Sequence, residues 1–463
     1  MNRFEPDEIS AQPDNRLALT DQAFFAGHRA AGQKEVMQVA WIYERPVDME
    51  HLKSFHRNLG NGLLGRRIER SPLPFGRYRW VSDTRATQFD IAERARPRAE
   101  LADADWLDER SQLPIDPESG PGWRLSVVPF TDGTTAATLV ISHYVVDGIG
   151  AVVAVALASM GETLDLGYPP PRSRSTVRAL VQDAGQTARE APAAARALVA
   201  AVKEARRRSS DGDRAPHRAA GVSNARGDAG DAPVTVPAIW IRIKMNDWNA
   251  RAEALGGTTS TLAVALTAKL DRHMGRRHGG ADDVTMLLLV NDRAVGDVRA
   301  VAVSFARLSI DPTEVTTDLR GARAAVKQAL QVLRETPDES SELVALTPFT
   351  PKPAWRQLVD FALNDPDQPA VCSNLGDTGP AVIRPDGAPS DSAFARGTSQ
   401  HMTRQWLERM GSQLQLYFGT AVEINAIGIH IRAYDPGSVT SKAALRDLAV
   451  RTLAEFGLTG EID

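Results

Sequence analysis

Cysteine is almost absent from this chain. The single instance, Cys372, excludes a disulfide within the chain and fits a reducing compartment. Histidine is sparse, nine residues in 463. No metal-ligand cluster and no glycine-rich phosphate loop occur in the sequence, so no bound metal or cofactor is expected. A surplus of positive charge is also missing. The formal net charge of -4 argues against nucleic acid as the main partner. No apolar run is long enough to span a bilayer, and the start, Met1-Asn2-Arg3-Phe4-Glu5-Pro6-Asp7-Glu8, has no apolar signal core. The expectation is a cytoplasmic protein, with peripheral membrane contact left open because it needs no spanning helix.

What is present is an ordinary globular composition, 43% hydrophobic and 24% charged, over a length too great for one compact core. Two lobes are expected. In the first, residues 1–165, a helix begins at Leu19 with Thr20 as its cap, and Glu35 to Glu44 reads as a strand. Asp48 to Leu64 reads as an amphipathic helix, and Arg77 to Val81 as a short strand. The run Trp123 to Phe130 pairs with a strand at 136–142 through an Asp132-Gly133 hairpin turn. Residues 166–235 read as a crossover: a helix rich in alanine and arginine over 175–208, then a disordered linker over 209–234. The helix is read as a connector whose basic end, Arg206-Arg207-Arg208, is solvated; a membrane-surface role is the alternative. The second lobe, 236–463, holds strands at 238–243, 284–290, 308–311 and 370–377, helices at 260–273 and 319–334, and a closing hairpin at 413–418 and 427–434.

One stretch stands out for chemistry: Ser142-His143-Tyr144-Val145-Val146-Asp147-Gly148. His143 follows the apolar run Ala136-Ala137-Thr138-Leu139-Val140-Ile141, which reads as a buried strand. Asp147-Gly148 is a turn signal, and Ile149 to Leu157 reads as a buried helix. A histidine at such a junction is held on rigid backbone from both sides, as a catalytic side chain must be. A lone histidine beside a strand is as readily a packed structural residue, so the surrounding pattern has to decide.

That pattern resembles the CoA-dependent acyltransferases of the chloramphenicol acetyltransferase fold, whose shared motif is His-His-x-x-x-Asp-Gly. Here Ser142 stands in the first histidine position and His143 in the second. Within the superfamily the chain is most similar to the bacterial wax ester/diacylglycerol acyltransferases. The similarity runs through Leu19-Thr20-Asp21-Gln22-Ala23-Phe24-Phe25, Val47-Asp48-Met49-Glu50-His51-Leu52, Leu64-Gly65-Arg66-Arg67-Ile68, Arg79-Trp80-Val81, and Pro114-Ile115-Asp116 with Pro121-Gly122-Trp123. One loop departs from it. Ser373-Asn374-Leu375-Gly376-Asp377-Thr378-Gly379-Pro380 looks closer to the loop of condensation enzymes and of acyltransferases that work with polyketide carriers.

The resemblance implies an α+β fold of two chloramphenicol acetyltransferase-like lobes, each a mixed sheet covered by helices, with an active-site tunnel between them. It implies transfer of a fatty acyl group from acyl-CoA, the co-substrate, to the hydroxyl of an alcohol or diacylglycerol. His143 would act as general base. It implies that Asp147 faces away from His143 and pairs with Arg293 of the second lobe. The N–H of Gly148 is a candidate oxyanion donor, and Ser142, Ser373, Asn374 and Gly376 are candidate tunnel residues. Ser142 is not read as a nucleophile, because adjacent strand residues point to opposite faces. Cys372 reads as a small buried hydrophobe. Two other readings stay open. One is a free-standing condensation enzyme fed by an acyl carrier protein. The other is a catalytically silent acyl-binding homologue. Contact with the inner membrane or a lipid droplet is the further partner the resemblance suggests.

Overall fold

The computed structural model describes residues 14–83, 89–102, 105–210, 234–276, 283–335, 343–363 and 368–462. Most of the expected linker, 211–233, lies outside the described residues. The strands are β1 (Glu35–Tyr43), β2 (Arg66–Glu69), β3 (Arg79–Ser82), β4 (Phe89–Ile91), β5 (Trp123–Pro129), β6 (Thr135–Ser142), β7 (Ala238–Lys244), β8 (Val284–Asn291), β9 (Val303–Ile310), β10 (Ala370–Asp377), β11 (Ser392–Ser399), β12 (Gln413–Ala421), β13 (Ala426–Tyr434) and β14 (Glu461–Ile462). The helices used below are α1 (Leu19–Ala31), α2 (Met49–Leu59), α3 (Ala99–Ala102), α4 (Asp105–Ser111), α5 (Gly148–Ser159), α6 (Thr176–Ser210), α7 (Met245–Ala254), α8 (Thr259–Met274) and α9 (Arg320–Glu335).

Two mixed sheets form a two-lobe α+β fold. The first has the order β11-β1-β6-β5-β4 and the second β14-β7-β13-β12-β10-β8-β9. Every residue of β6 is buried, as its unbroken apolar run requires of a strand covered on both faces. Gly133, at φ 88°, makes the β5–β6 turn, and its neighbour Asp132 accepts the Thr134 N–H at 3.0 Å. Helices α2 and α5 cover one face of this sheet around Trp41, Phe55, Leu139 and Val155. In the second lobe, α8 supplies Leu262, Leu266 and Leu270 to a core with Ile241, Met286, Leu416 and Ile429. No helix among the described residues is long and apolar enough to cross a membrane.

Four local readings change. Helix α1 begins at Leu19 as expected, but Thr20 does not cap it; the N-cap position is Ala18, and there is no side-chain cap. The neighbouring Asp21 reaches across to the other half of the chain instead, accepting the N–H groups of Ala300 at 2.9 Å and Val301 at 2.8 Å. Helix α2 is capped by Asp48 but stops at Leu59, not Leu64. The chain turns back so sharply there that a Cβ on Gly65 would stand 2.1 Å from the Gly60 carbonyl oxygen, so only glycine fits. Strand β9 starts at Val303, five residues before Leu308. The largest difference is β11, which the sequence pattern did not reveal. It pairs antiparallel with β1 along eight residues, from Glu35↔Ser399 to Ile42↔Ser392. The first sheet therefore contains a strand from the last quarter of the chain, and the two lobes are joined by backbone hydrogen bonds as well as by side chains.

Candidate functional site

His143 lies immediately beyond β6, where the buried strand gives out. Its N–H donates to the Glu35 carbonyl at 3.0 Å, and the Val145 N–H closes back onto the Ser142 carbonyl at 3.0 Å. The loop then enters α5, with Asp147 as its N-cap accepting the Gly150 N–H at 2.8 Å. The Asp-Gly pair thus acts as a helix start. Arg66, wholly buried, donates from Nη2 to the Val145 carbonyl at 2.8 Å and from Nη1 to the Val298 carbonyl at 2.5 Å. Its guanidinium carbon sits 4.1 Å from the centre of the Trp80 ring. It ties the histidine loop to the second half of the chain. In the sequence, Arg66 stands in the Leu64-Gly65-Arg66-Arg67-Ile68 stretch that carries the family resemblance, with no role assigned to it.

Asp147 points away from His143. Its Oδ2 accepts Arg293 Nη2 at 2.8 Å and the Ala302 N–H at 2.8 Å. The pair is nearly sealed, with side-chain exposures of 6% for Arg293 and 4% for Asp147. The other guanidinium nitrogen of Arg293 donates to the carbonyls of Asp297 at 2.9 Å and Arg299 at 3.0 Å. With three donors on its two oxygens, this carboxylate ties the histidine loop to Arg293 and Ala302. Glycine is needed at position 150, where a Cβ would meet Val146 at 2.3 Å and Arg293 at 3.3 Å.

His143 is half-buried, and enough protein surrounds its ring that burial holds its pKa below the ordinary 6.5. Its own carbonyl and the carboxylates of Asp147 and Glu35 oppose that shift, while His28 adds to it. Nδ1 is buried without a hydrogen-bond partner among the described residues. The Phe24 ring packs against the imidazole at 5.3 Å between centres. Ser142 and Tyr144, the alternate residues on either side, line a cavity of about 220 Å³ with Phe25, Glu35 and Gln400, and His143 does not line it. Ser142 is therefore turned away from the imidazole, as strand alternation requires.

The C-terminal end of β10 meets this site at Gly148, where a Cβ would lie 3.0 Å from Leu375 Cδ2. Gly148 opens α5, so its N–H has no acceptor within the helix. Asn374 is exposed, and both ends of its amide are engaged within its own lobe: Nδ2 donates to Ser260 Oγ at 3.1 Å and Oδ1 accepts the Gly376 N–H at 2.8 Å. Gly376 holds φ at 74°, the left-handed turn for which glycine is suited. Ser373 is buried in β10 between Leu289 and Tyr417. Of the candidate residues, the structure brings His143, Asp147, Gly148 and Arg293 together with the end of β10. It is Leu375, not Asn374, that makes the contact. Cys372, also on β10, is buried, and burial pushes its thiol up to about 12.

No family model matches the chain, and no curated protein matches its sequence. Solved structures do match it nearly end to end. The wax ester synthase/diacylglycerol acyltransferase from Marinobacter aquaeolei VT8 superposes with a TM-score of 0.54 at 17% identity, over 96% of this chain and 98% of that one. Polyketide synthase associated protein 5 from Mycobacterium tuberculosis gives 0.53 at 12% identity, over 95% and 98%. The first condensation domain of the calcium-dependent antibiotic synthetase, in complex with a substrate analogue, gives 0.56 at 15% identity, over 96% and 96%. The chain has the two-lobed fold that these acyltransferase and condensation proteins share.

Proposed function

We propose that this protein is an acyltransferase that moves an acyl group from a coenzyme A thioester to a hydroxyl, with His143 as general base. The observation that carries the reading is the state of that imidazole. It sits at a strand end braced by Glu35 and Arg66, burial keeps it neutral near pH 7, and the motif carboxylate is committed elsewhere, to Arg293. A neutral imidazole held on rigid backbone is what activation of an alcohol needs.

The acceptor hydroxyl gives its proton to His143 Nε2 as its oxygen attacks the thioester carbonyl carbon. The carbonyl oxygen takes the electron pair, and the N–H of Gly148, at the start of α5, would donate to it. When the tetrahedral species collapses, the C–S bond breaks and the thiolate takes the proton back from the imidazolium. No covalent enzyme intermediate is needed. The two reactants would approach along a tunnel between the lobes, with Leu375 as an apolar wall beside Gly148 excluding water from the oxyanion. The long-chain alcohol or diacylglycerol named for the Marinobacter protein is the acceptor class favoured here, with lipid esters as products.

The test is acceptor-dependent ester formation. Purified protein with palmitoyl-CoA and hexadecanol should release one thiol per ester formed. A protein that binds palmitoyl-CoA yet forms no ester with any alcohol would be a silent acyl-binding homologue. Ester formed only from a carrier-bound acyl group would make it a free-standing condensation enzyme.

A further inference from the structure

Helix α6 has 35 residues and joins the two halves of the chain. Its inner face is accounted for. Ala179, Asp183, Ala194 and Ala197 are buried, and the helix packs beside the segment Val344–Phe349. Two of its acids, Asp183 and Glu190, form ion pairs with the body of the protein. Asp183 pairs with Arg79 at 3.1 Å and Arg174 at 2.7 Å, and Glu190 pairs with Arg77 at 3.0 Å.

The outer face is different. Val177, Val181, Ala184, Ala188, Ala191, Ala195, Leu198 and Val202 are all exposed and follow one another at alternating steps of four and three residues. Val177 is 71% and Val181 69% exposed at one end of this row, and Leu198 is 55% exposed near the other. Beside it runs a second exposed row, Arg178, Arg189, Arg196 and Lys203. At about 100° per residue these four fall within roughly 40° of each other around the helix. None of them makes an ion pair among the described residues, and no exposed acid lies between them.

From these two rows we infer that the outer face of α6 docks an acidic amphipathic helix of a partner protein. An average step of 3.5 residues is the spacing of a helix-to-helix seam, and alanine in its middle lets a second helix approach closely. A lipid surface would call instead for bulky tryptophan, phenylalanine and leucine, and this face has two leucines, Leu180 and Leu198, and no aromatic residue. A second copy of the chain would bring another basic row and no acid to meet it. The unpaired Arg178, Arg189, Arg196 and Lys203 select a partner whose seam is flanked by glutamate or aspartate. This surface is remote in the argument from His143, and it stands or falls independently of acyl transfer.

The experiment uses the full chain and a fluorescein-labelled synthetic helix of four heptads, with leucine and alanine at seam positions and glutamate beside them, read by fluorescence anisotropy. Saturable binding that weakens with added salt is expected, together with no binding of a lysine-flanked version of the same peptide. Arg189→Glu with Arg196→Glu should weaken binding by about tenfold or more without changing the circular dichroism melt, since both residues are exposed. Should that double variant melt early, Val181→Asp offers a second way to break the face and should weaken binding likewise. Absence of saturable binding to the wild-type chain, or binding indifferent to both sets of substitutions, overturns the inference. Co-flotation with vesicles of phosphatidylcholine and phosphatidylglycerol that is lost in the double variant would assign the face to a membrane and also overturn it. So would an α6-dependent dimer in gel filtration.

Discussion

Asp147→Asn changes one charge and almost no volume, so its cost isolates the electrostatics of the seam. The carboxylate now accepts from Gly150 N at 2.8 Å, Ala302 N at 2.8 Å and Arg293 Nη2 at 2.8 Å. An amide has one oxygen. If that oxygen keeps the Gly150 cap, the NH2 group faces two donors. If it turns to face them, the cap is lost, at about 1 kcal/mol. The larger loss is at Arg293, whose guanidinium is left in the seam at 6% exposure with its paired carboxylate gone and the Asp297 carboxylate, not bonded to it, nearby as counter-charge. Removing one partner of a buried pair costs about 3–5 kcal/mol, and the carbonyls of Asp297 and Arg299 that still receive Nη1 favour the lower end. An unfolding entropy of about 2.1 cal/mol/K per residue makes 1 kcal/mol worth roughly 1 °C in a 463-residue chain that unfolds as one. The melting midpoint should therefore fall by about 3 °C or more. Arg293→Met should also destabilise, by stranding the carboxylate. The double variant strands neither charge, so it should be more stable than the sum of the single losses predicts, by about 1 kcal/mol or more. Differential scanning calorimetry of the four proteins measures this. An Asp147→Asn protein that melts like the wild type but has lost activity would refute the reasoning and return Asp147 to the chemistry. Strict additivity would show that the two side chains do not work as a pair.

His143→Ala should lower turnover by about a hundredfold to ten-thousandfold, the worth of a general base, while the far-ultraviolet circular dichroism spectrum stays unchanged. The pH profile of kcat/KM should have its acid limb below 6.5, because burial disfavours the imidazolium; activity is then full at and above neutrality and is lost as pH falls through the lowered value. Glu35→Gln removes a carboxylate that favours the imidazolium, so it should move that limb to still lower pH; a shift to higher pH would contradict the arrangement. Cys372, with its thiol pushed up to about 12, should resist iodoacetamide at pH 8 in the native protein and react on unfolding, as mass spectrometry would show.

The parts legible in the sequence are those where local pattern and burial agree. The run Ala136 to Ile141 could only be a covered strand, the Asp132-Gly133 turn announced its hairpin, and the apolar stretch after Gly148 became α5. The Asp147–Arg293 pair was accessible through resemblance, since nothing in the spacing of two residues 146 apart specifies a contact. Strand β11 was hidden because Ser392-Ala393-Phe394-Ala395-Arg396-Gly397-Thr398-Ser399 has neither β-branched enrichment nor a clean alternation. Its polar residues become intelligible only across the seam, where Arg396 meets Gln38 Oε1 at 2.7 Å and Asp108 at 2.6 Å, and Ser399 Oγ donates to Glu35 at 2.7 Å. Arg66 carried no assigned role, because a sequence does not show that two distant carbonyls will turn toward one guanidinium. Asp21 was hidden for the same reason, its partners being backbone N–H groups that carry no side-chain identity.

The most direct test of the central claim is a thiol-release assay on the purified chain with acyl-CoA, run with and without a long-chain alcohol and repeated with His143→Ala. Cys372 is buried and should contribute little background to the thiol reading. Alcohol-dependent thiol release matched by ester, and its loss in the His143→Ala protein, is the predicted result. Equal ester formation by the two proteins would contradict the account, as would a folded wild-type chain that makes no ester from acyl-CoA with any alcohol supplied.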